Sequence, residues 1–214
     1  MNSEIANLRR DYSLQVLLEK DVALDPISQF TKWWAEVLNA EIIEPNAMTL
    51  ATASCDGMPS ARIVLLKAFD ENGFVFFTNY KSYKALQMEE NPKASLVFFW
   101  KEIERQVRIV GLVSKIPAPE SDAYFASRPK GSRIGAWASP QSQVIESRDW
   151  LDKRNADLIE EIKDNQIERP PHWGGYIVKP VIVEFWQGRA SRLHDRIQYT
   201  LNENGDWKIE RLAP

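Results

Sequence analysis

The stretch AMTLATASCDGMPSARIVLLKAFDENGFVFFTN, residues 47–79, decides the fold class. Ala47 to Ser54 and Ser60 to Phe69 flank Cys55-Asp56-Gly57, the pattern of two strands joined by a tight hairpin turn. Asp70-Glu71-Asn72-Gly73 is a second turn, and it leads into an aromatic strand from Gly73 to Thr78. Working outward, the spacing predicts further strands over Lys93 to Trp100, Arg105 to Ile116, Gly175 to Val178, Ile182 to Gln187, Ile197 to Leu201 and Trp207 to Arg211. Helices are expected over Leu8 to Lys20 and after Asp25-Pro26, an N-cap followed by proline at the first helical position. In that second helix Phe30, Trp33, Trp34, Val37 and Leu38 recur at spacings of three and four and predict one buried face. A short helix from Ser82 to Glu90 stops at Asn91-Pro92, and Pro119 to Ser127, Gly131 to Ala138 and Glu146 to Asn165 follow. The reading is a mainly β, antiparallel barrel with α additions, in a single domain. No G-x-G-x-x-G or P-loop pattern occurs, so a phosphate ligand must be held by side chains.

Composition narrows the function classes. The chain carries 27 basic and 30 acidic side chains, a net charge of −3, which argues against a dedicated nucleic-acid binder. Its best apolar run, Ala94 to Trp100, is far too short to span a bilayer. Cys55 is the only cysteine, which fits a reducing, cytoplasmic setting. With His172 and His194 the only histidines, no metal site is expected. Eight tryptophans predict either a rich aromatic core or a lining for a flat cofactor.

Several charged groups stand where a strand would otherwise be apolar. Arg62 and Lys67 bracket Ile63, Val64, Leu65 and Leu66, and their odd separation sends them to opposite faces of a regular strand unless a bulge realigns them. Thr78 and Asn79 close a strand and lead to Ser82-Tyr83-Lys84 at a helix start, suited either to ordinary capping or to a phosphate. Gln106 is available to bond the edge of a flat heterocycle. Tyr124, Arg128 and Ser132 lie four apart with Pro129 and Gly131 between them, so a turn could gather two hydroxyls and a guanidinium around a dianion. Arg192, His194 and Arg196 alternate, and an extended backbone would put them on one side.

The string as a whole resembles the pyridoxine/pyridoxamine 5'-phosphate oxidase family, from about Leu8 to Pro214. RIVLLK (62–67), FFTN (76–79), RQVR (105–108), YFASRPKGSRIGAWAS (124–139), PQSQVI (140–145), WGGY (173–176), EFWQG (184–188), RLHDR (192–196) and the ending RLAP carry the likeness through their joint order and spacing. The resemblance implies an FMN-binding split β-barrel in a homodimer, with flavin mononucleotide (FMN) in clefts at the subunit interface. It implies a mobile N-terminal cover over residues 1–20, then a barrel with inserted helices and a C-terminal dimerisation region. Flavin contacts would come from Arg62, Ile63, Val64, Leu65, Leu66, Lys67, Phe77, Thr78, Tyr83, Lys84, Gln106, Gln141, Ser142, Trp186 and Arg196. The substrate would meet Arg9, Arg10, Asp11 and Tyr12 of the cover, with Lys67, Tyr124, Arg128 and Ser132 on its phosphate and Arg192, Leu193 and His194 at its ring. The chain departs from the commonest pattern at Phe77, a frequent tyrosine, and at Tyr83, usually an arginine.

The implied reaction takes pyridoxine 5'-phosphate or pyridoxamine 5'-phosphate to pyridoxal 5'-phosphate, with hydride passing from C4' to flavin N5 and O2 reoxidising the flavin to give hydrogen peroxide. Arg192 and His194 are the expected catalytic pair. Two other readings remain open: a split-barrel flavin oxidase of another small ring, such as a phenazine-pathway relative, and a non-catalytic flavin- or haem-binding module.

Overall fold

The computed structural model describes residues 11–162 and 166–214. Among them, nine strands and five α-helices alternate in chain order: α1 (Pro26–Asn39), β1 (Ala47–Ala53), β2 (Pro59–Leu65), β3 (Ala68–Asp70), β4 (Gly73–Asn79), α2 (Tyr83–Glu90), β5 (Lys93–Trp100), β6 (Arg105–Lys115), α3 (Ala118–Ser127), α4 (Lys130–Ala138), α5 (Arg148–Ile162), β7 (Trp173–Gln187), β8 (Asp195–Leu201) and β9 (Trp207–Arg211). The strands form one antiparallel sheet in the order β2-β1-β5-β6-β7-β4-β3, with β8 added to β7 and β9 to β8. The expected mainly β, antiparallel fold with helical additions is therefore present.

The chain divides into two compact units. The first comprises the described part of Met1–Leu50 with Ser95–Gly111 and Pro180–Pro214. Its helix α1 starts where the sequence placed it: Asp25 accepts hydrogen bonds from the Ile27 and Ser28 amides at 3.0 and 2.8 Å, ahead of Pro26. Phe30, Trp33 and Val37 are buried from this helix, whereas Leu38 faces solvent and Trp34 is half-buried. Phe30 packs on Phe98, and the Trp33 ring meets Phe185 edge-on at 5.1 Å. Of the five tryptophans in this unit, Trp33 and Trp100 are buried in the core.

The described part of the segment expected to be helical from Leu8 to Lys20, residues 11–20, forms no α-helix. Residues 8–10 lie outside the described ones, and from 11 to 18 the chain has no helix, with a single 3-10 turn over Glu19–Asp21. Distant carboxylates take the backbone donors that an α-helix would use. The Ser13 and Leu14 amides donate to Glu104 Oε2, and the Leu17 amide donates to Asp195 Oδ2 at 3.1 Å. Burying two carboxylates against backbone N–H groups outweighs a local helical preference worth only tenths of a kcal/mol per residue.

The second unit comprises Ala51–Ala94 and Leu112–Lys179. Its core cluster joins Phe125, Ile134, Ile167 and Trp173. Here the run expected as one strand from Ser60 to Phe69 is broken, because β2 ends at Leu65 and β3 begins at Ala68. Across the break Lys67 N–H still reaches the Val75 carbonyl at 2.8 Å. The two strands expected over 175–178 and 182–187 are instead one, β7, running through Pro180. Proline lacks an N–H, but β4 pairs with β7 only up to Val178 and β8 only from Ile182, so on that side residue 180 owes no ladder bond.

Gly73 opens β4 with φ +139°, and a Cβ there would press against the Val178 carbonyl oxygen. Both the backbone conformation and the space demand glycine. Gly73→Ala is expected to lower stability by about 2 kcal/mol, read from the midpoint of a denaturant unfolding curve. An unshifted midpoint would remove this turn from the determinants of the fold.

Candidate functional site

The break after β2 has a consequence for charge. Arg62 leaves β2 and Lys67 leaves the break itself, and both line one cavity of about 520 Å³ within the second unit. The realignment that a regular strand forbids is achieved by interrupting the strand. Ile63, Val64 and Leu65 line the same cavity, while Leu66 is buried in the core behind it.

A second wall comes from the end of β4 and the start of α2. Thr78 and Lys84 line the cavity with Gln141. Lys84 Nζ donates to Thr78 Oγ1, Ser82 Oγ and Gln141 Oε1 at 3.2–3.3 Å. Ser82 stands at the N-cap position as expected, but its hydroxyl accepts from Lys84 and makes no capping bond. Burial, with the Arg62 charge alongside, pulls the Lys84 ammonium down to about 8.

The third wall is the α3–α4 corner. Helix α3 ends at Ser127, Arg128 is extended (φ −72°, ψ 149°), and Pro129 caps α4. Proline disfavours a helical residue before it, so the helix must stop here. The corner brings Tyr124, Arg128 and Ser132 to the cavity together. Phe77 stacks on Tyr124 with ring centroids 3.9 Å apart and on Trp173 at 5.3 Å, and the Arg128 guanidinium lies 4.6 Å over Trp173. Arg128 Nη1 is buried and has no hydrogen-bond partner among the described residues. A buried charged donor left in this way is costly unless an anion meets it.

Not every residue expected here arrives. Tyr83 is 52% exposed and does not line the cavity, nor does Ser142, which is exposed with φ 69°. Sequence reasoning in turn missed Trp173 as a wall, although an aromatic directly before Gly174-Gly175 on a strand carries a signal for close packing.

The remaining expected residues belong to the first unit and form a second cluster. Tyr12, Trp186 and His194 make an aromatic group, with Trp186 and His194 centroids 4.7 Å apart and Tyr12 edge-on to Trp186 at 5.7 Å. Gly188 makes room for it, since a Cβ there would lie 2.7 Å from the Tyr12 ring. The extended run expected from Arg192 to Arg196 begins only at Asp195. Arg192 sits in a tight turn with φ 61°, after Ser191 at 55°, and is exposed together with Leu193. The Arg189 amide donates to His194 Nδ1 at 3.1 Å, which leaves the ring proton on Nε2. Burial and the Arg192 charge lower the His194 pKa, so the ring is neutral near pH 7. Arg196 is gripped through Nε and Nη2 by the buried Glu184, which also pairs with Arg108 at 2.8 Å. Glu184 was missed as a partner, yet a lone acid inside the apolar run VIVEFW is a visible signal. Gln106 is half-buried on β6, Asp11 is exposed, and Arg9 and Arg10 lie outside the described residues.

Residues 35–160 match the family model described as pyridoxamine 5'-phosphate oxidase, and residues 173–214 match a model described as the pyridoxine 5'-phosphate oxidase C-terminal dimerisation region. The chain belongs to the pyridoxamine 5'-phosphate oxidase family. Curated relatives named pyridoxine/pyridoxamine 5'-phosphate oxidase include one from Nostoc punctiforme, 56% identical over 214 residues and 100% of both chains. Another, from Cupriavidus metallidurans, is 56% identical over 99% of this chain and 100% of its own. Among solved structures, PhzG from Burkholderia lata 383, in complex with tetrahydrophenazine-1-carboxylic acid, is similar with a TM-score of 0.88 at 32% identity over 94% of this chain and 100% of that one. A pyridoxamine 5'-phosphate oxidase-related, FMN binding protein from Nostoc punctiforme has a TM-score of 0.70 at 21% identity, over 90% of this chain and 100% of that one. That identity speaks for the fold, the FMN-binding split barrel expected from the sequence. The oxidase family and its dimerisation region agree with the expectation of a homodimeric flavoprotein. Among the described residues no helix is long and apolar enough to cross a membrane.

The Lys84 pKa generates a prediction. An anion in this cavity is favoured by the charged ammonium, so its affinity is full well below pH 8 and declines as pH rises through about 8. Titration of the apoprotein with sulfate, a dianion throughout the range, between pH 6 and 9.5 reads this directly. Lys84→Met should flatten the profile, and a wild-type profile that is already flat would show that Lys84 does not face the anion.

Proposed function

We propose that the protein is an FMN-dependent oxidase that converts pyridoxine 5'-phosphate and pyridoxamine 5'-phosphate to pyridoxal 5'-phosphate. The observation that carries this reading is the cavity lined by four cationic side chains, Arg62, Lys67, Lys84 and Arg128. So much positive charge in one partly desolvated space suits phosphate esters, and two are needed, one on the flavin and one on the substrate. The names of the curated relatives at 56% identity point to the same substrates.

The residues present fit the flavin. Arg62 and Lys84, steadied by Thr78 and Gln141, supply the charge and hydrogen bonds for its phosphate end. Bound FMN supplies hydride acceptance at N5 and reoxidation by O2 to hydrogen peroxide. Lys67, Tyr124, Arg128 and Ser132 hold the substrate phosphate, and this remote binding energy orients the carbon to be oxidised. Trp186, Gln106 and Arg196 contribute flavin contacts, with Arg196 kept in place by Glu184. Arg192 and Leu193 meet the substrate ring together with His194, which is neutral and donates from Nε2. The planar Arg192 cation lies against the pyridine and stabilises charge as the C–H bond breaks. Tyr12, with Asp11 and the arginines before it, covers the ring. Exposed Ile63 beside the cavity and the C-terminal dimerisation region support a homodimer with the flavin at the subunit seam. The unpaired Cys55 fits a cytoplasmic enzyme.

Anaerobic mixing tests the reading. Purified holoprotein is expected to lose its visible flavin absorbance on adding either B6 phosphate and to regain it on admitting air. Flavin that neither compound bleaches, but that a reduced phenazine precursor does, would move the assignment to the other kind of oxidase. Arg192→Ala should keep its flavin and lose turnover by about 100-fold, the scale of one transition-state electrostatic contact. Full turnover would take Arg192 off the catalytic list.

A further inference from the structure

Behind the cavity, a relay of uncharged groups runs to Arg62. Its Nη1 donates to Thr52 Oγ1 at 2.6 Å and its Nη2 to Ser60 Oγ at 2.5 Å. Both hydroxyls lie 2.6 Å from the same atom, Gln87 Oε1. Gln87 is 2% exposed, one turn along α2 from Lys84, and its Nε2 points to the Met58 carbonyl.

Hydrogen counting fixes the polarity of this relay. Each hydroxyl has one proton, a guanidinium only donates, and a side-chain amide oxygen only accepts. Thr52 and Ser60 must therefore both donate to Gln87 Oε1 and turn their lone pairs to Arg62. With the amide reversed, Gln87 Nε2 and Arg62 would both donate to the hydroxyls, Gln87 Oε1 would face the Met58 carbonyl, and only one hydroxyl proton could find an acceptor, in the other hydroxyl 3.4 Å away. The hydroxyls orient the guanidinium without cancelling its charge, as a carboxylate would.

We infer that Gln87 is a positioning residue for anion recognition: by setting the hydroxyl polarity of Thr52 and Ser60 it aims Arg62 at the phosphate of the bound flavin. The inference rests on the reading of this cavity as the flavin phosphate site. It assigns to a buried glutamine, which touches no ligand itself, control over discrimination between phosphorylated and unphosphorylated flavin.

The test titrates full-length apoprotein with FMN and with riboflavin, which lacks the phosphate, following flavin fluorescence. Gln87→Met, close in size but without the acceptor, is expected to bind FMN about tenfold more weakly, the scale of one charge-assisted hydrogen bond, with riboflavin affinity unchanged within about twofold. Thr52→Val removes one hydroxyl and leaves Gln87 in place, so it carries the test should Gln87→Met fold poorly, and its loss for FMN should be about threefold. Combined with Gln87→Met it should cost little more than Gln87→Met alone, because the two act through one relay. An unchanged FMN affinity in both variants, equal losses for FMN and riboflavin, or additive losses would overturn the inference. Arg62→Ala separates the two levels. If the wild type prefers FMN, Arg62→Ala abolishes the preference and Gln87→Met keeps it, the inference alone fails. If the wild type binds riboflavin as tightly as FMN, the phosphate reading of the cavity fails with it.

Discussion

Crowding Arg62, Lys67, Lys84 and Arg128 around one cavity raises the free energy of each, since like charges in a partly desolvated space repel and water no longer screens them fully. The cost is legible in Lys84, whose ammonium is pulled down to about 8 by burial and by Arg62. It is legible again in Arg128, whose Nη1 is buried without a partner among the described residues and whose pKa burial also lowers. Neutral groups contact these cations: Thr78, Ser82 and Gln141 on Lys84, Thr52 and Ser60 on Arg62, and the Trp173 face under Arg128. A phosphate dianion relieves repulsion and satisfies donors in one step, so binding energy is stored in the fold in advance.

The other compact unit treats arginine in the opposite way. Glu184 takes both Arg196 and Arg108, and Asp195 takes both Arg189 and Arg211. Burial raises the Asp195 pKa, but bonds from the Leu17 amide, Arg189 and Arg211 together outweigh it and hold the carboxyl below its ordinary value. Here charge is spent on structure. Each carboxylate ties an arginine of β8 or β9, or of the turn before them, to a neighbour, and Asp195 also fastens the N-terminal segment at Leu17. These arginines are compensated by carboxylates, whereas Thr52 and Ser60 orient Arg62 through hydroxyl groups.

This difference explains what could be seen in the sequence. The hairpin around Asp56-Gly57, the capped helix at Asp25-Pro26 and the corner at Arg128-Pro129 were legible because each is enforced locally, by turn chemistry, a side-chain cap or proline sterics. The order and spacing of the charged motifs gave the family. Three features were hidden, the first two because their causes lie far along the chain and the third because nothing in the pattern marks where the strand stops. The segment at 11–18 is not helical since Glu104 and Asp195 claim its amides. β7 runs through Pro180 since its pairing partners change there. Arg62 and Lys67 share a cavity since the strand between them breaks, an outcome that side-chain alternation alone predicts against. Gln87 was hidden for another reason. A buried glutamine on an amphipathic helix carries no mark of its purpose until the two hydroxyls it serves are seen beside it.

The turn at Ser191 and Arg192 shows how the second cluster gains what a strand could not give. An extended backbone from Arg192 to Arg196 would have spread the three side chains evenly along one face of the sheet. The left-handed turn, costing roughly 1 kcal/mol or more for each such residue, holds Arg192 off the strand next to His194. Two bonds lock it: the Arg189 amide to His194 Nδ1 and the Leu193 amide to the Ala190 carbonyl. The first of these also sets the imidazole tautomer, so a single backbone amide fixes both the path of the turn and the atom that carries the ring proton. Strain of this kind persists only where surrounding contacts over-determine it, and here the Trp186 and Tyr12 rings packed on His194 do so. An exposed cation and a neutral donor are thereby presented side by side, an arrangement suited to a ring substrate whose charge changes as it reacts.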